Sequence, residues 1–210
     1  MTPAAIVQQL HVDERILATA SGAAFVAAAR DRQRLIHLAG PAVLKLDPRD
    51  RDDLVARRDL LRLRAKTPPR KTPLKLGAPA PSAKLLTWYR EAQRRFGVRW
   101  QLLAAINFVE SAFGRARSAS VAGAQGPMQF EPATWQRYGL GGNVHDPHDA
   151  ILGAANYLAA NGARTDERDA LWHYNPSSLY VDAVLHYAHR ITHIRYAFAE
   201  YYAWVLARRR

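Results

Sequence analysis

The 210-residue chain contains no cysteine, which excludes a disulfide scaffold and any thiolate metal site. No run is long and apolar enough to span a bilayer. The nearest, "ILATASGAAFVAAAR" from Ile16 to Arg30, follows Asp13 and Glu14 instead of a basic stretch and reads poorly as a signal peptide. Strand-like alternation is nearly absent, no internal repeat is visible, and neither a phosphate-binding loop nor a nucleophile elbow occurs. Acidic residues are in deficit, 18 against 30 Lys and Arg, leaving a net charge of +12. That excess suits a polyanion, whether nucleic acid, an anionic membrane or a bacterial wall, and does not choose among them.

What is present is helical punctuation, so the expected class is all-α. Five prolines between Lys66 and Ser82 resist helix and mark a stiff, extended linker over 66–82. Residues 1–65 read as a basic helical N-terminal region, with Leu54, Leu60, Leu61 and Leu63 at helical spacing. The main domain is expected over 83–195, and 196–210 form a basic aromatic C-terminal tail that could pack on the core, lie on a membrane surface or meet a partner. Within the main domain, helices are predicted from Ser82 to Phe96, from Arg99 to Phe113, over "PATWQRY", from Pro147 to about Gly162, and over "DERDALWHYN". From Ser178 onward the pattern fits one long helix or two in succession.

Glu110 is the residue that breaks the pattern. Leu103 and Ile106 precede it by seven and four positions, so the three share one helix face, and Leu102 and Val109 widen the apolar stripe. A carboxylate so placed loses hydration and sits near the negative end of the helix dipole. Both effects favour the protonated form, the state a general acid requires. The plainer alternatives are that Glu110 faces solvent at the helix end or pairs with Arg115 or Arg117. The loop that follows, "SASVAGAQGPMQF", is rich in glycine and small residues and ends near Gln129, which can both donate to and accept from an amide.

Together, Glu110-Ser111, "AGAQGPMQFEPATW", "DPHDAILGAANYL" and "HYN" (His173 to Asn175) resemble the soluble lytic transglycosylase (SLT) domain family, related to goose-type lysozymes. The resemblance runs from about Ser82 to Arg190. It implies a lysozyme-like helical domain carrying an N-terminal helical extension. It implies that Glu110 is the lone catalytic acid/base, and that Ser111, Ser120, Gln129, Glu131, Tyr174 and Asn175 bind substrate. The implied partner is the glycan strand of peptidoglycan, cut between MurNAc and GlcNAc with formation of 1,6-anhydroMurNAc and without cofactor or metal. The implied location is extracytoplasmic, in wall or periplasm.

Two positions depart from the family pattern: Glu131 stands where an apolar residue is common, and Pro176-Ser177 where Ala-Gly usually follows the Tyr-Asn pair. Glu131 has an ordinary reading as an acidic residue opening a helix, and another as a group that positions water and favours hydrolysis. A goose-type hydrolase of the same bond, or a non-catalytic wall-glycan or nucleic-acid module on the same fold, are the alternatives; nucleic acid is not the expected partner. The basic N-terminal region is open to anionic wall polymers or a membrane surface. His186, His189 and His193 fall on one helix without an acidic residue at motif spacing, and read as a helix flank and not as a metal site. Trp88, Trp100, Trp135 and Trp172 read as core.

Overall fold

Prolines, capping residues and left-handed turns divide the chain into helices at the positions their chemistry dictates. A computed structural model describes residues 1–39, 43 and 50–207. Among these, ten helices and no strand occur: α1 Pro3–Thr19, α2 Gly22–Leu38, α3 Arg51–Lys66, α4 Ser82–Phe96, α5 Trp100–Ser111, α6 Pro132–Tyr138, α7 Pro147–Ala160, α8 Glu167–Tyr174, α9 Ser178–His193 and α10 Ala197–Ala207. Asp146 caps α7 by accepting from the backbone N–H groups of His148 and Asp149, and Asp166 caps α8 through Asp169. Gly97 ends α4 at φ 74°, a conformation that costs glycine little.

α5 is the spine of the main domain. Leu102 to Asn107 are all buried on it, enclosed by Leu85 and Tyr89 of α4, Ile151 and Leu158 of α7, and Tyr180 and Val184 of α9. α5 ends at Ser111, two residues before the expected Phe113, because Ala112 and Phe113 both turn left-handed. Beyond α9 the chain breaks at Ile194 and resumes as α10. Phe198, Tyr201 and Val205 of α10 are buried in the main core, so this segment packs inward as far as Ala207; residues 208–210 lie outside the described ones.

The N-terminal helices join the same body through charge. Arg32 of α2 is wholly buried and donates to Asp50 (2.7 Å), Asp53 and Glu200 (2.9 Å); Arg190 of α9 donates to Glu200 at 2.8 Å and lies 3.1 Å from Asp53. Gln33 adds a bond to Glu200 at 2.6 Å, and the Tyr201 hydroxyl donates to Asp53. The buried face of α3 includes Asp53 and Asp59 beside Leu54, Leu60 and Leu63 pack against the main core, and Leu61 is exposed. Two guanidinium groups hold Asp53 inside.

The linker runs extended, as its prolines require, and is docked. The Gly77 N–H donates to Arg115 O (2.8 Å), the Arg117 N–H to Lys75 O (2.9 Å), and Arg70 reaches Ala119 O (2.7 Å). It thus lies beside the loop that follows α5. Trp172 departs from its expected place in the core and is 48% exposed, because α8 is short and turns that side to solvent. The histidines of α9 do find an acidic partner, from outside their own helix: Asp52 of α3 accepts from or faces His186 Nδ1 (2.7 Å) and His189 Nδ1 (2.6 Å). No cluster of three or more metal-ligating side chains occurs among the described residues.

Candidate active site

The end of α5 is shaped to expose one carboxyl. Ala112, Phe113 and Gly114 take φ values of 52°, 61° and 81°, three left-handed residues in a row. For Ala and Phe that conformation costs about 1 kcal/mol each. Phe113 is held in it by burial against Phe108, Phe198 and Tyr202. The reversal leaves Glu110 in the last helical turn, half-buried, at the wall of a groove of about 370 Å³.

Burial pushes the Glu110 carboxyl up to about 7, against which the hydrogen bond from the Tyr180 hydroxyl to Oε1, at 2.6 Å, acts in part. Burial, and then the charge of Glu110, push the Tyr180 hydroxyl well above its ordinary value, so Tyr180 remains a donor. Arg115 and Arg117, the expected alternative partners of Glu110, reach instead to the carbonyls of Val205 and Ala78. Near neutral pH Glu110 can therefore both give and take a proton.

The opposite wall is a loop fixed carbonyl by carbonyl. Gln125 and Phe130 exchange two backbone hydrogen bonds of 2.8 Å, closing a tight turn. Gly126 O accepts the backbone N–H of Gln129 (3.1 Å) and its side-chain Nε2 (2.9 Å). Pro127 O accepts Asn107 Nδ2 (2.8 Å) and the Ser111 hydroxyl, and Met128 O accepts the Tyr174 hydroxyl at 2.6 Å. Glycine is required at 126, where φ is 74° and a Cβ would stand 1.9 Å from Val144 O. With Nε2 held on the loop, the other amide atom of Gln129, the acceptor Oε1, remains for a ligand N–H.

Glu110, Ser120, Gln129, Glu131, Tyr174 and Asn175 all line this one groove. Ser120 helps to build its rim: its hydroxyl accepts the Ala124 N–H at 2.9 Å. Ser111 does not reach the groove. It is 2% exposed and spends its hydroxyl on Pro127 O and on the Gly114 N–H, so its part is to tie the end of α5 to the loop. Pattern reading passed over Asn107, one turn before Glu110, whose Oδ1 also accepts the Tyr89 hydroxyl at 2.6 Å. A polar amide inside an otherwise apolar helix was the available signal. It also passed over Tyr180 and Tyr157, which come from other helices and carry no local signature; the Tyr157 hydroxyl donates to His173 O at 2.7 Å and its ring lines the groove.

Residues 87–189 match the family described as the transglycosylase SLT domain. Among curated proteins, the membrane-bound lytic murein transglycosylase F of Thiobacillus denitrificans (strain ATCC 25259 / T1) is 38% identical over 88 residues, 40% of this chain and 18% of that protein. The membrane-bound lytic murein transglycosylase F 1 of Alkalilimnicola ehrlichii (strain ATCC BAA-1101 / DSM 17681 / MLHE-1) is 35% identical over 72 residues, 34% of this chain and 14% of that protein. The chain thus spans only a minor part of each relative. No solved structure matches it significantly.

Proposed function

Because residues 87–189 are a transglycosylase SLT domain, distantly homologous to membrane-bound lytic murein transglycosylase F, we propose that this chain cleaves the β-1,4 bond between MurNAc and GlcNAc in peptidoglycan. The observation that carries the proposal is the Glu110 carboxyl, raised to about 7 by burial, on the wall of a groove whose facing loop presents Gln129. A glycosidase ordinarily needs two carboxyl groups about 5 to 9 Å apart, one as acid and one as base or nucleophile. A lone carboxyl can serve both steps when the substrate supplies the rest.

In this reading Glu110 protonates the glycosidic oxygen as the bond to C1 breaks. The N-acetyl group of MurNAc stabilises the positive charge developing at C1. Glu110, now ionised, takes the proton of the C6 hydroxyl, whose oxygen closes on C1 to give the 1,6-anhydro ring and return the acid to its starting state. A carboxyl near 7 is matched to both transfers. Gln129 Oε1 is placed to accept an acetamido N–H. Tyr174 and Asn175 bound the sugar-binding wall, and Ser120 shapes the rim. No cofactor enters the cycle.

The substrate places the protein outside the cytoplasm, in wall or periplasm. No helix among the described residues is long and apolar enough to cross a membrane. The basic N-terminal region and linker are suited to anionic wall polymers or a membrane surface, an attraction that rising salt should weaken.

The test is solubilisation of purified peptidoglycan. The chain should release soluble muropeptides, and Glu110→Gln should lower the rate by about 10²- to 10⁴-fold while the helical signal in circular dichroism is retained. A well-folded Glu110→Gln protein with wild-type activity would end this reading.

A further inference from the structure

From Arg115 to Gly123 the loop that leaves α5 is half-buried or exposed at every residue. Its sequence, "RARSASVAG", explains this: two arginines and mostly small side chains have little apolar surface to bury. Hydrogen bonds must hold it instead. Its start is tied to α5 by the Ala116 N–H, which donates to Ser111 O at 2.9 Å. Its far end closes on itself: the Ser120 N–H donates to Ala124 O (2.8 Å), and the Ala124 N–H to the Ser120 hydroxyl (2.9 Å). Ser120, Ala122 and Ala124 of that turn line the groove.

The stretch between, Arg117 to Ala119, is held by the linker. The Arg117 N–H donates to Lys75 O (2.9 Å), and the Ser118 hydroxyl accepts the Lys75 N–H (2.9 Å). Ala119 O accepts Arg70 Nη2 at 2.7 Å, and Arg117 Nη2 donates back to Ala78 O at 2.7 Å. Three successive loop residues, ending one short of Ser120, are thus bound to the same extended segment.

The linker is suited to carry this load. Its five prolines restrict the undocked chain, so docking costs it less conformational entropy than it would cost an ordinary loop. It is anchored beyond the docked part as well: Pro79 is buried, and Ala80 O accepts the Tyr202 hydroxyl at 3.0 Å. Residues 70–78 precede the span that matches the SLT family, 87–189, whereas the rim turn lies inside it. The segment from outside the domain therefore braces a wall of the domain's groove.

We propose that the linker is a strap that positions the groove's rim for the glycan strand, with Arg70, Lys75 and Ser118 as its positioning residues. The proposal rests on the groove binding glycan as described above. The strap holds Ser118 and Ala119, and through them it holds Ser120 in its binding place before substrate arrives. A rim ordered in advance has no freedom to lose on binding, which strengthens affinity. A rim released from the strap is competent for only part of the time, and apparent affinity falls by that fraction. The Glu110 carboxyl is held by α5 and Tyr180, not by the strap. The effect therefore falls on KM and spares kcat.

The experiment combines amide hydrogen exchange with steady-state kinetics on soluble glycan strands from purified peptidoglycan. It uses the wild-type chain, the double variant Arg70→Gln with Ser118→Ala, the double variant Arg70→Gln with Ser118→Thr, and Lys71→Gln, each checked for folding by circular dichroism. In the first double variant, exchange at the Ser120 and Ala124 amides should quicken about tenfold. Its KM should rise about fivefold with kcat within about twofold of wild type. Threonine returns the hydroxyl acceptor at 118 and should recover part of both effects. Lys71→Gln removes the same charge one residue along and should leave rim exchange at the wild-type rate. Unchanged rim exchange in the first double variant, faster exchange without a rise in KM, or an equal rise in KM in Lys71→Gln would overturn the strap. A wild-type chain that releases no product, with the exchange pattern as expected, would instead remove the catalytic reading beneath it.

Discussion

Two carboxyl groups in this molecule meet opposite fates. Asp53 of α3 lies against α9 and α10, 1% exposed, and Glu110 lies half-buried in the main domain at the end of α5. Burial alone would push either of them toward the protonated form. At Asp53 that push is overcome by Arg190 and Arg32, with the Tyr201 hydroxyl adding to them, and the carboxyl is held below its ordinary value. Glu110 has a tyrosine hydroxyl where Asp53 has guanidinium groups, and it is carried up to about 7. At Asp53 two fixed guanidinium partners hold the carboxylate as a structural charge; at Glu110 a neutral donor leaves the carboxyl able to exchange a proton. The chain is rich in arginine, yet the two arginines nearest in sequence to Glu110 are drawn off to backbone carbonyls, at Val205 and Ala78.

The comparison can be broken most forcefully at the structural end. Arg190→Met leaves Asp53 and Glu200 enclosed with Arg32 as their remaining guanidinium partner, and removing one member of a buried charge network costs about 3–5 kcal/mol. A fall in Tm of about 10 °C follows for a chain of this size, read by thermal unfolding; a shift under 2 °C would show that the network holds little.

The opposite change is expected at Glu110. Its carboxyl ionises at about 7 in the folded chain against 4.5 ordinarily. The native state therefore binds the extra proton between those values, and stability falls as pH rises through that window, by on the order of 3 kcal/mol in all. Glu110→Gln abolishes this slope and should raise Tm by about 8 °C at pH 8 while changing it little at pH 4. Equal shifts at both pH values would mean that the gain has another source.

The smallest effect tests the neutral donor itself. The Tyr180 hydroxyl favours the ionised form of Glu110, so Tyr180→Phe raises that carboxyl further. The decline of kcat/KM on the alkaline side, expected near pH 7, should move upward by about half a unit with a loss of rate of only a few fold. A downward move would reverse the assigned role of Tyr180.

How much of this was legible in the sequence depended on the range of the interactions. Gly97, Asp146 and Pro132 act on their own neighbours, and the helix ends they mark agree with the structure. Glu110, Gln129 and Tyr174 stand within ordered motifs, and they converge on one groove. The ends of α5 and the burial of α3 were less readable. Left-handed Ala112 and Phe113 depend on the aromatic packing of Phe113 against α10, and the inward turn of Asp53 depends on arginines 21 positions earlier and far later in the chain. The family resemblance implies a substrate contact for Ser111, yet successive helical residues face different ways, and it is turned inward to Pro127 O. Tyr180 could not be found from spacing, because 70 residues separate it from the carboxyl it touches.

The account is tested most directly by titrating one group. The carboxyl carbon of Glu110 can be followed by ¹³C NMR from pH 3 to 9, and assigned by its absence in Glu110→Gln. The account predicts a midpoint at about 7. A midpoint near 4.5, the value of a hydrated glutamate, would contradict it.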